Sequence, residues 1–214
     1  MKRQVAVLAA LTLAVSAGCA EKKEQPAAVP TPSASASASA SPTASPIAFG
    51  PPWHDEVAPA AASVTVGPKG STCPLPITFS VPAKWKVRAV TSGADRKVGP
   101  AVPICEIDAK PAGHIGFLRV WRIEGAAPRT PQITLDAFMD DDGKATERQY
   151  RRTKAGPLDS FEASWAGERA RRRAILVSSL YGKVLITLDG TDSDGFTAVL
   201  PAYQLAKSSA NLPK

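Results

Sequence analysis

Apolar residues occur in short alternating or continuous blocks over the C-terminal three quarters of the chain, a spacing that is typical of β-strands. The blocks predict strands at 77–81, 85–90, 104–109, 115–123, 160–165, 171–179 and 183–188. Residues 82–84 form a predicted turn that contains Pro82, and the links at 166–168 and 180–182 are equally short. Because such links join antiparallel neighbours, the later strands are expected to form hairpins.

Two segments have the spacing of helices that pack on one face. The first is expected to start near Thr134, a suitable N-cap, and to end at Gly143. The second opens with the acidic residues at 192–194, which suit a helix N-terminus, and Pro201 begins its second stretch or kinks it. The order of strands, helix, strands and terminal helix predicts an α+β fold with helices packed on an antiparallel sheet.

The N-terminal pattern is different and indicates export. A basic start is followed by an apolar stretch at residues 5–15, which is much shorter than the roughly 20 residues that span a bilayer. Residues 1–18 are therefore expected to be a signal peptide. The run from Val15 to Cys19 resembles the lipobox of bacterial lipoproteins, which implies a diacylglyceryl group on Cys19. An uncleaved signal anchor, or a secretory signal with a chance cysteine, is the alternative.

Residues 19–62 consist mostly of Pro, Ser, Ala and Thr, with a Ser-Ala repeat at 33–41. This composition offers little apolar surface to bury, so it predicts a lipidated cysteine followed by a disordered tether. Ile47, Phe49 and Trp53 interrupt the pattern and are candidates for packing on the domain. Residues 63–214 suffice for a single globular domain with its own core.

The cysteines point to a disulfide in the exported domain. With Cys19 assigned to the lipid, Cys73 and Cys105 remain in a compartment where oxidising conditions favour pairing. Neither has a cysteine or histidine at the spacing of a zinc site, so no metal and no other cofactor are expected. The lipid would hold the chain on the extracytoplasmic face of the cell membrane.

Residues 79–87 (FSVPAKWKV) resemble the opening hairpin of PsbP-like domains, where an aromatic residue, a Val or Tyr, a Pro and a Trp precede an apolar strand. The strand at 184–188 and the segment at 196–209 are similar to their closing strand and helix. Together with the lipobox and the tether, the chain resembles the actinobacterial lipoproteins with a PsbP-like domain, the LpqN-type lipoproteins among them. The resemblance implies an α/β/α sandwich with a central antiparallel sheet, and a binding or assembly module rather than an enzyme.

Basic residues form two clusters. The chain carries 26 Lys and Arg against 19 Asp and Glu, a net charge of +7. The clusters lie at 151–154 and 169–173, and alternate residues of a strand share one side. Because the guanidinium fork fits phosphate, the candidate anion-binding residues are Arg151, Arg152, Arg169, Arg171 and Arg173. Solvated arginines at a strand end, or arginines that protect a sheet edge, are the alternative.

The sequence assigns no catalytic residue. The acidic runs at 138–143 and 190–195 lack both the first ligand and the closing glutamate of an EF-hand. The starting residues of metalloprotease, nucleophile-elbow and penicillin-recognising motifs are missing as well. His114 could pair with Glu106 or Asp108 as a base, but a surface histidine at the start of a strand is the simpler interpretation.

The expected function is a non-catalytic, membrane-anchored module that binds an anionic envelope polymer, a lipid or an exported protein. Nucleic acid is not an expected partner, because export separates the chain from it. The alternative is a hydrolase or transferase that acts on wall polymers through carboxylates not located in the sequence. A deep cleft lined by two or more acidic or histidine side chains would favour the enzyme, and a shallow apolar or basic surface would favour the binding module.

Overall fold

The computed structural model describes residues 53–92, 94–125 and 130–214. The predicted signal peptide, Cys19 and most of the predicted tether, with Ile47 and Phe49, lie outside the described residues. The elements are β1 (Val64–Val66), β2 (Phe79–Val81), β3 (Lys86–Ala89), β4 (Ala101–Asp108), β5 (Phe117–Ile123), α1 (Pro131–Asp142), β6 (Thr146–Ala155), β7 (Leu158–Ala166), β8 (Arg171–Ser179), β9 (Gly182–Asp189) and α2 (Ser193–Ser208). Short 3-10 turns occur at Ala94–Arg96 and Lys110–Ala112.

Seven strands form one antiparallel sheet in the order β3-β4-β5-β9-β8-β7-β6. The hairpins β7-β8 and β8-β9 are those predicted from the short links. The hairpin predicted between residues 77–81 and 85–90 is wrong, because β2 pairs with β1 in a separate two-stranded sheet and β3 pairs with β4. Pro82 cannot donate to a ladder, and Lys84, with φ of 66°, turns the chain from one sheet to the other.

Strand β6 was not predicted, because its sequence is almost entirely polar. Among the described residues it forms the edge of the sheet and pairs with β7 alone, from Thr146 opposite Ala166 to Ala155 opposite Leu158. Charged side chains on such a strand discourage pairing with another chain, so a polar composition suits the edge position. The basic cluster at 151–154 lies on this strand.

Helix α1 begins earlier than predicted and ends where predicted. Thr130 is the N-cap, with its hydroxyl accepting a hydrogen bond from the Ile133 amide at 3.2 Å. Thr134 instead lies inside the helix, where it is buried and its hydroxyl donates to the Thr130 carbonyl. Gly143 follows the last residue of the helix. The acidic run before α2 has the capping role expected, because the Asp192 carboxylate accepts from the Gly195 amide at 2.8 Å.

The two helices cover opposite faces of the sheet. On one, the α1 face, the helix buries Leu135, Phe138 and Met139 against Trp121 and Leu185. The other, the α2 face, has its own core, whose members from the sheet and the helix include Ile107, Ile175, Ile186, Val199, Leu200 and Tyr203. The architecture is therefore an α/β/α sandwich, and the fold that the resemblance to PsbP-like domains implied is confirmed.

The predicted disulfide is present. Cys73, in the loop before β2, is bonded to Cys105 in β4, and their Cα atoms lie 6.0 Å apart. Both cysteines are buried in the core of the α2 face. The bond therefore ties the long loop between β1 and β2 to the main sheet.

The folded unit starts earlier than the boundary predicted at residue 63. The Gln204 amide nitrogen donates to the His54 carbonyl at 2.8 Å, and the Ala60 amide donates to the Pro201 carbonyl at 2.9 Å. Val57 packs against the core of the α2 face. Residues 53–60 thus lie along α2, and Trp53 packs on the domain as the sequence suggested.

Candidate functional site

The five candidate arginines do not share one surface. Strand alternation places Arg171 and Arg173 on the α2 face and Arg172 on the α1 face. Arg173 is fully buried, so its predicted place on an exposed anion-binding surface is corrected. Arg171 pairs with Glu147 at 2.7 Å, and Arg152 is exposed on the edge strand. Arg151 and Arg169 lie in two separate sites on opposite faces of the sheet, and Arg152 and Arg171 belong to neither site.

The first site is a buried charge cluster on the α2 face. Its central carboxylate belongs to Glu162, which is as fully buried as Arg173. Glu162 Oε1 accepts from Arg173 and from the Tyr203 hydroxyl at 2.9 Å, and Oε2 accepts from Arg151 Nε at 2.9 Å and Lys207 Nζ at 3.0 Å. Burial alone would raise the pKa of Glu162, but the positive charges of Arg173, Lys207 and Arg151 hold it below its usual value.

The second site is open to solvent and is called the polar cleft here. It has a volume of about 340 Å³ and lies on the α1 face, at the C-terminal end of α1. Strand β5, the link between β7 and β8, and the loop between β9 and α2 form its walls. It is lined by Phe117, Arg119, Asp142, Glu168, Arg169, Ala170, Arg172, Asp189, Gly190 and Thr191.

Positive and negative side chains alternate within the polar cleft. Arg172 in β8 pairs with Asp142, the last residue of α1. Arg119 Nη1 lies 3.8 Å from Asp189 Oδ2, and its guanidinium carbon lies 4.0 Å from the centre of the Phe117 ring. Each of these two acids therefore has an arginine beside it. The guanidinium groups of Arg119 and Arg172 remain partly exposed and can donate hydrogen bonds to further acceptors.

The strand register brings these residues together. Phe117 lies opposite Asp189, and Arg119 lies opposite Thr187, in the pairing of β5 with β9. The indole nitrogen of Trp121 donates to the Thr187 hydroxyl at 3.1 Å, and that hydroxyl donates to Asp189 Oδ2 at 3.0 Å. This chain of hydrogen bonds fixes the Asp189 carboxylate between the core under α1 and the floor of the cleft.

Two acids of the polar cleft, Asp142 and Asp189, have raised pKa values. Burial raises the pKa of Asp142, and the neighbouring Arg172 offsets only part of this effect. Burial likewise raises the pKa of Asp189, with Arg119 and Arg172 opposing it and the Asp142 charge adding to it. Two acids that hold protons more tightly than usual can accept a hydrogen bond when charged and donate one when protonated. Perturbed carboxylates of this kind are common in functional sites.

Arg169 has a special position among the cleft arginines. It is exposed in the link between β7 and β8, and no ion pair joins it to any other residue in the described ranges. Arg169 is also the one candidate arginine from the sequence that lines the cleft. Arg119 was missed as a candidate because it lies outside both basic clusters. Arg172 lies in the second cluster but on the other side of the strand from Arg171 and Arg173, and the strand register places it near Arg119.

Other candidate chemistry is absent from the part of the chain that the structure describes. Across residues 53–92, 94–125 and 130–214, no group of three or more His, Cys, Asp or Glu side chains is placed to hold a metal ion. His114 is exposed, in the loop before β5. A shallow apolar depression of about 560 Å³ lies between Leu75, Pro76 and the exposed Tyr181, with Lys69 and Lys214 at its rim. The structure thus contains both an acid-lined cleft, the feature expected of an enzyme, and a shallow apolar surface, the feature expected of a binding module.

Comparison with known proteins gives a matching family and several similar solved structures. The sequence model of a family described as "uncharacterised lipoprotein" matches residues 43–210. No curated protein matches the chain. The solution structure of cyanobacterial PsbP (CyanoP) from Synechocystis sp. PCC 6803 is similar at 11% identity and a TM-score of 0.49, covering 72% of this chain and 94% of that one. The crystal structure of LpqN, described as involved in cell envelope biogenesis of Mycobacterium tuberculosis, is similar at 11% identity and a TM-score of 0.43, covering 71% of this chain and 90% of that one.

In the described ranges, no helix is long and apolar enough to cross a membrane.

Proposed function

The chain is a member of the uncharacterised lipoprotein family, and on that basis we propose that it is a non-catalytic module that binds an anionic envelope component in the polar cleft. A lipoprotein is held at the membrane by its acyl chains. In this proposal the acyl chains are attached to Cys19, and the tether displays the domain on the extracytoplasmic face. The ligand is a phosphate-bearing polymer or lipid of the envelope.

The observation that carries the proposal is the convergence of Arg119, Arg169 and Arg172 in one open cleft. The guanidinium fork donates two parallel hydrogen bonds to phosphate or carboxylate oxygens. Arg169 has no ion-pair partner in the described ranges, so a ligand phosphate can pair with it without breaking an existing contact. The other two arginines are only partly exposed and would hold the ligand in a fixed orientation.

The acids of the cleft are compatible with an anionic ligand. A negative charge nearby favours the protonated form of a carboxyl group, so a bound phosphate would raise the pKa of Asp142 and Asp189 further. Protonation removes the repulsion and turns each acid into a hydrogen-bond donor. Binding should therefore be accompanied by proton uptake, which distinguishes this cleft from a purely basic surface.

A hydrolase or transferase is the second candidate, and a specific observation favours it. Asp142 and Asp189 lie in the same cleft, and the raised pKa that burial gives to each is what a general acid requires. The arginine beside each acid favours the binding module. Its positive charge stabilises the ionised carboxylate, whereas a general acid must be protonated. Activity would thus depend on Asp142 and Asp189, whereas binding alone would depend on Arg169.

The experiment compares Arg169→Gln with Arg152→Gln in the full chain, purified in detergent. Both residues are exposed arginines, but only Arg169 lines the cleft. With poly(glycerol phosphate) as the probe, Arg169→Gln should weaken binding roughly tenfold, as loss of a charge-assisted hydrogen bond does. Arg152→Gln should leave affinity nearly unchanged. Equal losses in both variants would show attraction by net charge alone and would overturn the proposal.

The same samples separate binding from catalysis. Release of soluble phosphate or glycerol phosphate from the probe by the wild-type chain, lost in Asp189→Asn while the polymer still binds, would establish the enzyme instead. Calorimetry in buffers of different ionisation enthalpy measures the proton uptake expected from Asp142 and Asp189. Binding without any proton uptake would remove these acids from the site.

A further inference from the structure

A short segment near the C-terminal end of the predicted tether covers the buried charge cluster. Residues 53–55, called the strap here, lie over Arg151, Arg173 and Lys207. Asp55 Oδ1 accepts from Arg151 Nη2 at 2.8 Å and from Lys207 Nζ at 3.3 Å. The Trp53 ring centre lies 4.4 Å from the guanidinium carbon of Arg151 and 6.0 Å from that of Arg173. The strap thus supplies both an anion and an aromatic cover.

The carboxylate of Asp55 binds the cluster from its solvent-exposed side. The Asp55 side chain is 50% exposed, whereas the Glu162 carboxylate beneath it is fully buried. The hydrogen bond from Arg151 holds the pKa of Asp55 well below its usual range, so this carboxylate is charged at physiological pH. It is therefore a permanent, solvent-accessible counterion that another anion could replace.

The cluster beneath the strap has more positive than negative charge, and it contains hydrogen-bond donors without acceptors. Without Asp55, Glu162 is the one acid in the described part of the chain that pairs with the three cations Arg151, Arg173 and Lys207, which leaves an excess of two positive charges. The Nε and Nη1 atoms of Arg173 are buried and have no hydrogen-bond partner among the described residues. Buried guanidinium donors without acceptors are costly, and an anion that reached them would relieve this cost.

We propose that the buried charge cluster is a second anion-binding site, in which Asp55 is an internal ligand and from which the strap can be displaced by a phosphate group. A phosphate dianion matches the excess of two charges, whereas a single carboxylate such as Asp55 compensates half of it. The guanidinium fork of Arg151 and the ammonium of Lys207 already converge on one oxyanion in the geometry that phosphate needs. The site lies on the α2 face, opposite the polar cleft, and does not rest on the function proposed for that cleft.

The test removes the internal ligand and measures affinity for inorganic phosphate by calorimetry on the full chain in detergent. Asp55→Asn should bind phosphate at least about tenfold more tightly than the wild type, because the competing carboxylate is gone. Asp159→Asn is the matched control: this exposed acid pairs with Lys154 outside the cluster, so the same change of net charge should leave affinity unchanged. Adding Lys207→Gln to Asp55→Asn should abolish the gain.

Three results would overturn the proposal: no gain in Asp55→Asn, an equal gain in Asp159→Asn, or a gain that survives Lys207→Gln. Trp53→Ala provides a second test that leaves the charge unchanged, and it should also tighten phosphate binding by removing the cover. Thermal melts establish that each variant is folded at the temperature of the titration.

A parallel titration with soluble short-chain phosphatidylglycerol distinguishes a free phosphate from a lipid headgroup. The phosphodiester carries one charge, so the charge balance of the cluster favours inorganic phosphate in Asp55→Asn. Tighter binding of the lipid would assign the same site to a headgroup.

Discussion

Glu162 and Arg173, on the neighbouring strands β7 and β8, form an ion pair in which neither side chain is exposed to solvent. The hydroxyl of Tyr203 donates to the same carboxylate oxygen, so the pair also joins the sheet to α2. Moving two charges out of water costs free energy that their attraction offsets only when both are present. The stability of the domain should therefore be far more sensitive to loss of one partner than to loss of both.

Glu162→Gln should lower the free energy of unfolding by about 3 to 5 kcal/mol, because it leaves Arg173 charged and buried without its counterion. Urea unfolding followed by tryptophan fluorescence measures this change. Asp159→Asn, which removes an exposed partner of Lys154, should leave the free energy of unfolding nearly unchanged. Replacing the pair by Leu and Met in Glu162→Leu/Arg173→Met should recover part of the loss. A cost in Glu162→Gln as small as in Asp159→Asn would mean that water reaches the pair.

The acids of the two sites should respond to pH in opposite directions. Glu162 has a lowered pKa in the folded state, so its contribution to stability is complete above the unfolded value of about 4.3 and is lost as the pH falls through the folded pKa. Asp189 has a raised pKa, so the folded state takes up its proton first. Acidification from neutral pH towards about 4 should then stabilise the wild type relative to Asp189→Asn.

Urea unfolding at a series of pH values tests both statements. The difference in free energy of unfolding between the wild type and Glu162→Gln should shrink below about pH 4. The difference between the wild type and Asp189→Asn should change in favour of the wild type between neutral pH and about 4. If the free energy of unfolding of both variants changed with pH in parallel with that of the wild type, neither carboxyl group would have a perturbed pKa.

Much of the fold could be predicted because burial leaves a local pattern in the sequence. Alternating or continuous apolar blocks marked β4, β5, β7, β8 and β9, and the core positions of α1 follow helical spacing. Strand β6 could not be recognised in this way, since an edge strand needs no apolar face. The boundary at Trp53 was missed for a related reason: the segment from residue 53 to 60 has only two large apolar residues, Trp53 and Val57, and hydrogen bonds and ion pairs also hold it on the domain.

The sites were harder to predict because they depend on strand register. An arginine in a basic run is normally exposed, and Arg173 is buried only because Glu162 lies one strand away, eleven residues earlier in the chain. The polar cleft combines Arg119, Asp142 and Asp189 from three separate elements. A combination of residues from separate elements leaves no local pattern in the sequence. Only Arg169, in a basic run that sequence reasoning singled out, indicated the cleft in advance.

The disulfide should stabilise the domain by restricting the unfolded chain. Cys73 and Cys105 are separated by 32 residues, for which loop closure gives about 3.5 to 4 kcal/mol. Thiol titration of the denatured, oxidised chain in which Cys19 is acylated should find no free thiol before reduction and two afterwards. The Cys73→Ala/Cys105→Ala variant should lose this stabilisation in urea unfolding and remain folded in the absence of urea. Two free thiols in the oxidised sample would show that the pair does not form.

Gly156 should be intolerant of any side chain. It lies in the turn between β6 and β7 with φ of 53°, and a Cβ atom there would lie 1.9 Å from the Ala210 carbonyl oxygen. Gly156→Ala should therefore cost the left-handed backbone penalty of about 1 to 2 kcal/mol and a further 1 to 3 kcal/mol for the clash. Gly70→Ala is the matched control, since φ is 81° and the space around it is open. Equal costs in the two variants would show that the turn does not pack tightly on the end of α2.

Cys19 should be the site of lipid attachment. The apolar stretch and the small residues before it resemble a lipobox, and the family is one of lipoproteins. Stable anchoring requires two acyl chains, because a single chain gives only marginal and reversible membrane binding. Metabolic labelling with a fatty acid analogue should therefore mark the wild-type chain and retain it in the membrane fraction. Cys19→Ala should lose both the label and the membrane association, whereas Cys73→Ala should keep the label, because that cysteine is buried in the exported domain. Persistent labelling of Cys19→Ala would place the lipid on another residue.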